Sequence, residues 1–118
     1  MSSRPTLLLV EDDATTVFAM KAILKRWGWD VTAVTTVAEA IESLRQSTPL
    51  FVVLDLMLPD GRGTTVLRAI RESEWDIRVI VTTGAHDDLV LGEVAALRPD
   101  LFLNKPIDVN ALHQGLGH

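Results

Sequence analysis

The sequence predicts an α/β fold: a doubly wound, five-stranded parallel sheet with helices on both faces. Five short segments rich in apolar and β-branched residues alternate with five segments of helical composition. The connections between them are short, and such β-then-α units require parallel strands joined by right-handed crossover helices. With 118 residues, 47% of them hydrophobic, the chain is long enough for one domain with a substantial core.

Five segments are predicted as strands because each is largely apolar or β-branched and too short for an independent helix. The first, third and fourth are apolar on both faces and should therefore lie at the centre of the sheet. The predicted strands are residues 7–10, 31–35, 50–54, 78–83 and 101–104.

Helical composition fills the intervals between these strands. Gly28 and the Ser-Thr-Pro run at 47–49 are typical of the end of a helix, and they follow the first two helical segments. The predicted helices are residues 14–27, 37–46, 64–74, 87–97 and 109–116.

Composition excludes several functional classes. The net charge of -5 and the lack of a Lys/Arg run argue against direct contact with nucleic acid. The chain has no cysteine, so it can form neither a disulfide nor a thiolate metal site. It also has no signal-peptide pattern at its start and no apolar run of the ~20 residues that span a membrane. A cytoplasmic location is therefore expected.

Ionisable and hydroxyl side chains stand where predicted strands end. Glu11 and Asp12 follow the first strand, Asp55 follows the third, Thr83 ends the fourth and Lys105 follows the fifth. Ligands of open parallel sheets bind outside the carboxyl ends of the strands. The sequence therefore predicts one pocket that gathers three carboxylates, one hydroxyl and one ammonium group.

Three neighbouring carboxylates repel one another and call for a cation. Mg²⁺ is the natural choice, since it prefers oxygen ligands and is typically held by one or two carboxylates together with phosphate oxygens. A carboxylate beside Mg²⁺ can act as a nucleophile toward phosphorus, while Lys105 and Thr83 can neutralise phosphoryl oxygens. Glu11, Asp12 and Asp13 could instead simply begin a helix, and we assign that capping role mainly to Asp13.

Four motifs of this chain, LLLVEDD, VVLDLMLPDG, VIVTTG and FLNKP, resemble the receiver domain of response regulators in two-component signal transduction. The resemblance covers essentially the whole chain, so residues 1–118 are interpreted as one receiver domain. It implies a flavodoxin-like receiver fold, like that of the chemotaxis regulator, with strand order 2-1-3-4-5. It also implies a phosphoacceptor module rather than an enzyme, which assists its own phosphorylation and dephosphorylation within a phosphorelay.

The resemblance assigns roles to the acidic residues. Asp55 matches the aspartate that accepts a phosphoryl group from a phosphohistidine. Asp12 matches a direct Mg²⁺ ligand, Glu11 a ligand acting through water, and the backbone carbonyl of Met57 the third protein ligand.

The resemblance also predicts a switch. Thr83 matches the switch hydroxyl, Lys105 the lysine that contacts phosphate, and Phe102 an aromatic rotamer switch, although core packing is an equal alternative for Phe102. The Lys105–Pro106 peptide is expected to be cis. In such a domain the surface formed by the fourth helix, the fifth strand and the fifth helix changes on phosphorylation.

The expected partner is a sensor histidine kinase or a histidine phosphotransfer protein, and the expected state is a monomer or a weak phosphorylation-dependent dimer. Alternatives remain: a pseudo-receiver that binds without phosphate, a receiver excised from a larger regulator or hybrid kinase, and a Mg²⁺-dependent phosphohydrolase. A phosphohydrolase of this kind needs a second acid/base Asp near the nucleophile, but this chain has Leu56 and Met57 there. Arg98-Pro99-Asp100 departs from the Gly-Ala pair usual in the family, so the fourth helix is expected to end differently.

The first helix carries more apolar residues than one buried stripe needs. That stripe is already supplied by Met20, Ile23, Leu24 and Trp27. Val17 and Phe18 are therefore predicted to form an exposed partner surface, although Phe18 could also fold back over the sheet edge.

Overall fold

A computed structural model describes residues 4–84 and 88–117 of the chain. The strands are β1 Thr6–Val10, β2 Asp30–Val34, β3 Phe51–Asp55, β4 Met57–Leu58, β5 Gly61–Arg62, β6 Arg78–Thr83 and β7 Leu101–Asn104. The helices are α1 Ala14–Arg26, α2 Val37–Gln46, α3 Thr64–Glu72, α4 Asp88–Ala96 and α5 Val109–Gly115. Most predicted bounds agree with these within two residues. The predicted start of the fourth helix, residue 87, lies outside the described residues.

The main sheet is parallel and has the order β2-β1-β3-β6-β7. This is the predicted order 2-1-3-4-5, because the two short strands β4 and β5 form a separate antiparallel hairpin and do not enter the sheet. The strands predicted to be central, β1, β3 and β6, occupy the three inner positions. The doubly wound fold is thus confirmed, with one unpredicted hairpin directly after β3.

Side chains on opposite faces of the sheet form two apolar layers. Alternate residues of a strand point to opposite faces, so Val52 and Leu54 of β3 enter one layer while Phe51 and Val53 enter the other. The first layer is covered by α2, α3 and α4, and the second by α1 and α5. Helices therefore cover both faces of the sheet. A ligand site is expected at the carboxyl ends of the strands, as in other open parallel sheets.

Side chains cap the starts of α1 and α2, and the cap of α1 is the predicted residue Asp13. Asp13 caps α1, since its Oδ2 accepts the amide of Thr16 at 3.0 Å. Thr36 caps α2 by accepting the amide of Glu39 at 3.1 Å, and Glu39 Oε1 in turn accepts the amide of Thr35 at 3.2 Å. These bonds satisfy backbone donors that have no partner inside the helix. In the described part of the chain, no helix is both long and apolar enough to cross a bilayer.

The lowered pKa of Glu39 predicts how the stability of the fold falls at acid pH. Its pKa lies below the ordinary value of 4.5, because the Thr35 hydroxyl and amide and the Thr36 hydroxyl donate to the ionised carboxylate. A group with a depressed pKa in the folded state contributes stability above its unfolded pKa and loses that contribution as pH falls through the folded pKa. Glu39→Gln keeps an acceptor but no charge, so urea unfolding below pH 4.5 should show a shallower loss of stability than wild type. Equal slopes would contradict this.

Candidate functional site

Two carboxylates are buried at the carboxyl edge of the sheet. Glu11 directly follows β1, and its amide donates to Val34 of β2 at 3.1 Å, which continues the strand pairing. Asp55 is the last residue of β3. Glu11 and Asp55 are only 3% and 4% exposed. Carboxylates removed from water to this extent need donors and a compensating positive charge.

Lys105 supplies that charge. It directly follows β7, and its amide donates to the carbonyl of Thr83 at 2.8 Å. Its Nζ donates to Glu11 Oε1 at 2.8 Å and to Asp55 Oδ2 at 2.9 Å. The peptide between Lys105 and Pro106 is cis, as predicted. The ammonium group therefore bridges the two buried carboxylates.

Backbone amides satisfy the remaining oxygens of both carboxylates. Glu11 Oε2 accepts the amide of Asp13 at 3.1 Å, and Asp55 Oδ1 accepts the amide of Met57 at 3.2 Å. Each of the four carboxylate oxygens thus has a donor, which is the condition for burying charge without a large penalty.

The protonation of Lys105 follows from its surroundings. Burial by itself would lower its pKa, but the hydrogen bonds and charges of Glu11 and Asp55 outweigh burial and hold the pKa above its usual value. Lys105 is therefore a cation across the physiological pH range.

Asp12 completes the acidic cluster but differs from its neighbours in exposure. Glu11, Asp12 and Asp55 each offer a carboxylate oxygen, and these oxygens lie within 4.8 Å of one another. Asp12 is exposed, whereas Glu11 and Asp55 are buried. Three convergent carboxylate oxygens with one open side fit a hard divalent cation such as Mg²⁺. The predicted convergence of the three acids is thus found at this edge of the sheet.

The other predicted residues lie around this cluster. Thr83 ends β6 and is fully buried, and the preceding residue Thr82 is in register with Asp55. Phe102 in β7 is half-buried against the layer that contains α4. Met57 begins the hairpin with an exposed side chain. Their roles in switching and in metal binding by the Met57 carbonyl remain predictions.

The predicted partner surface on α1 needs a correction. Phe18 is 80% exposed, so it does not fold back over the sheet. Val17 is half-buried and packs against the layer formed with α5, contrary to its predicted exposure. It lies three residues before Met20 and seven before Leu24, which places it on the buried stripe of the helix. Phe18 alone of this pair is displayed to solvent.

Gly63 is a site residue that sequence reasoning missed. It precedes α3, is buried, and donates its amide to the carbonyl of Leu56 at 2.8 Å. A Cβ at this position would collide with the backbone carbonyl oxygen of Asp55. The backbone at Gly63 therefore lies in close contact with the backbone of Asp55, and a residue with a Cβ atom would not fit there.

Gly63→Ala should lower the free energy of unfolding by roughly 1–3 kcal/mol, as overpacking of a rigid site does. The matched control is Gly92→Ala, because Gly92 lies in α4 and a Cβ added there would have nothing within 4 Å. That change should raise stability by about 0.5–1 kcal/mol through helix propensity. Urea denaturation of both variants checks this, and a Gly63→Ala protein as stable as wild type would contradict the close approach.

Known proteins share this fold and sequence pattern. The family model of the response regulator receiver domain matches residues 7–116, so the chain belongs to the response regulator receiver domain family. The photosynthetic apparatus regulatory protein RegA of Rhodobacter capsulatus is 30% identical over 118 residues, which is 98% of this chain and 63% of RegA. The luminescence regulatory protein LuxO of Vibrio campbellii is 37% identical over 106 residues, which is 88% of this chain and 23% of LuxO. The chain thus spans less than two thirds of both relatives.

Solved structures agree with this assignment. The signal receiver domain of a LuxO repressor protein from Vibrio parahaemolyticus superposes with a TM-score of 0.87 at 31% identity, covering 96% of this chain and 87% of that one. A response regulator receiver domain protein from Methanospirillum hungatei JF-1 gives a TM-score of 0.91 at 23% identity, covering 97% and 91%. The second similarity concerns the fold alone.

Proposed function

We propose that this protein is a phosphoacceptor in a phosphorelay and receives a phosphoryl group on Asp55. The donor is the phosphohistidine of a sensor histidine kinase or of a histidine phosphotransfer protein. The observation that carries this proposal is the convergence of buried Asp55 with Glu11, Asp12 and the Lys105 ammonium at one edge of the sheet.

The transfer is a displacement at phosphorus. A carboxylate oxygen of Asp55 attacks the phosphorus, the P–N bond to the donor imidazole breaks as the P–O bond forms, and the imidazole keeps the electron pair and takes up a proton. Asp55 is suited to this because backbone and lysine donors already fix its orientation. Lys105 then neutralises charge on the transferred group.

Mg²⁺ would be held by the carboxylates of Asp12, Asp55 and Glu11 and by the carbonyl of Met57. When bound, the ion neutralises phosphoryl oxygens as the charge on them is redistributed. Asp12 is the side chain best placed to bind it first, since it is exposed while Lys105 engages the other two carboxylates.

Phosphorylation replaces the single negative charge of the Asp55 carboxylate with a phosphoryl group that carries about -1.5 to -2. That charge recruits Lys105 and the hydroxyl of Thr83, and Phe102 repacks against α4. The surface formed by α4, β7 and α5 then differs between the two states. This surface is where an output partner would distinguish them.

Intact mass measurement tests the acceptor. After incubation with acetyl phosphate and Mg²⁺, wild type should gain the mass of one phosphoryl group, and Asp55→Asn should gain none. Asp76→Asn, which changes an exposed carboxylate outside the site, should behave like wild type. If wild type stays unmodified, or if Asp55→Asn is still modified, Asp55 is not the acceptor, and a pseudo-receiver becomes the better description.

Metal binding should raise the melting temperature. At a Mg²⁺ concentration ten times the dissociation constant, binding adds about 1.4 kcal/mol, or roughly 4–8 °C for a small domain. Asp12→Ala should abolish that increment without unfolding the metal-free protein, because Lys105 still bridges the two buried carboxylates. Differential scanning calorimetry with and without Mg²⁺ measures both effects. An unchanged increment in Asp12→Ala would remove Asp12 from the metal site.

The flank of α1 is the proposed docking surface for the histidine donor. Phe18 is exposed and lines a shallow surface with Lys21, Ala22 and Lys25. Beside it, an apolar groove between α1 and α5 reaches Lys105 of the acidic site. A helical partner seated on this flank would therefore lie next to Asp55, with Phe18 as an apolar anchor.

Phe18→Ser should slow phosphotransfer from a cognate kinase by about tenfold or more, as for the loss of one aromatic anchor. Phosphorylation by acetyl phosphate should not change, because Phe18 is not part of the acidic cluster. The control Leu50→Ser alters another exposed apolar side chain, just before β3 at the opposite edge of the sheet, and should leave both rates unchanged. Equal losses with both donors for Phe18→Ser would indicate damage to the fold instead of a docking role.

A further inference from the structure

The carboxylate of Asp60 connects two distant parts of the chain. Asp60 lies in the turn between β4 and β5. Its Oδ1 accepts the amide of Val37 at 2.8 Å, and its Oδ2 accepts the amide of Ala38 at 3.1 Å. These are the first two amides of α2, which have no acceptor within the helix. The hairpin after the acidic site is thereby fastened to a helix that begins 23 residues earlier.

Capping alone does not account for this arrangement. The helix α2 also has a cap of its own, in which Thr36 accepts the amide of Glu39 and Glu39 accepts the amide of Thr35. Ala38 is exposed, so water could satisfy its amide, whereas Val37 is buried. Besides satisfying these amides, the Asp60 bonds fix the hairpin.

The hairpin needs such fixing because it is very small. Its two strands pair only through Met57 with Arg62 and Leu58 with Gly61. An isolated two-stranded hairpin is marginally stable at best. Its base is held where Gly63 donates to Leu56 at 2.8 Å, and its tip is held by Asp60.

The hairpin also contacts the acidic site. The amide of Met57 donates to Asp55 Oδ1 at 3.2 Å, and Met57 is only three residues before Asp60. Rotation of the hairpin about its base would therefore move the backbone of Met57 relative to Asp55. The proposed Mg²⁺ site uses the backbone of this same residue.

We propose that Asp60 is a positioning residue for the metal site: by fastening the hairpin tip to α2, it keeps the backbone of Met57 beside Asp55 and so increases the affinity for Mg²⁺. This inference rests on the proposed Mg²⁺-dependent function. Asp60 itself touches neither the metal nor the phosphoryl group and acts through the hairpin.

Three variants separate positioning from capping and from charge. Asp60→Ala removes both bonds to α2. Thr36→Ala weakens the same helix end but leaves the hairpin attached, and Glu39→Gln removes one negative charge from that helix end. A fourth variant, Asp60→Asn, keeps one carbonyl acceptor and should restore part of the function.

Two readouts are needed, and both use the full chain. Isothermal titration calorimetry with Mg²⁺ should show affinity about tenfold weaker in Asp60→Ala, as for other residues that orient metal ligands. It should show an intermediate loss in Asp60→Asn and wild-type affinity in both controls. Amide hydrogen exchange of the metal-free proteins should be faster at Met57 and Leu58 in Asp60→Ala but not in Thr36→Ala.

The outcomes separate the positioning role from the proposed function. Wild-type Mg²⁺ affinity in Asp60→Ala, or an equal loss in Thr36→Ala, overturns the positioning role while leaving the proposed function intact. If wild type itself does not bind Mg²⁺, the proposed function fails and the inference fails with it. Should Asp60→Ala not fold, Asp60→Asn decides by the same two measurements.

Discussion

The bridge from the Lys105 ammonium to two buried carboxylates is the interaction on which the site depends. Glu11 and Asp55 end neighbouring strands, whereas Lys105 follows β7 and reaches them across the end of β6. Because β1, β3 and β7 run in the same direction, these three side chains lie at one edge of the sheet. The site therefore follows from the topology, and the Lys105 ammonium at the same edge holds together two carboxylates that repel each other.

The segments around Asp55 are linked to the helices that cover the sheet. Glu93 of α4 forms an ion pair with Arg68 of α3 at 2.7 Å and faces Arg62 of the hairpin at 4.0 Å. Arg71 of α3 donates to the carbonyls of Leu97 and Arg98 just beyond α4, at 3.1 and 2.8 Å. Exposed ion pairs contribute little stability, but the bonds of Arg68 and Arg71 connect α3 to α4 and to the residues just beyond it.

The sequence predicted the parts that depend on local pattern. Alternating apolar segments were enough for the parallel sheet and its central strands, and residues at strand ends were enough for the acidic cluster, whereas the strand order came from the resemblance to receiver domains. Long-range geometry was not predictable. The hairpin has strands of two residues, which carry no periodicity, and the partners of Asp60 are 22 and 23 residues away. Val17 was assigned to the exposed flank because its burial depends on where α5 packs. The sequence indicated only a metal ion to neutralise the carboxylates, whereas in the structure the ammonium of Lys105 neutralises them.

A double-mutant cycle between Lys105 and Asp55 tests the central claim most directly. Wild type, Lys105→Met, Asp55→Asn and the double variant are unfolded with urea in buffer free of divalent cations. The bridge predicts that Lys105→Met is strongly destabilising alone and much less so beside Asp55→Asn, with a coupling free energy of about 1–3 kcal/mol. Additive effects of the two substitutions would contradict this, because they would show that the lysine does not hold the carboxylates together.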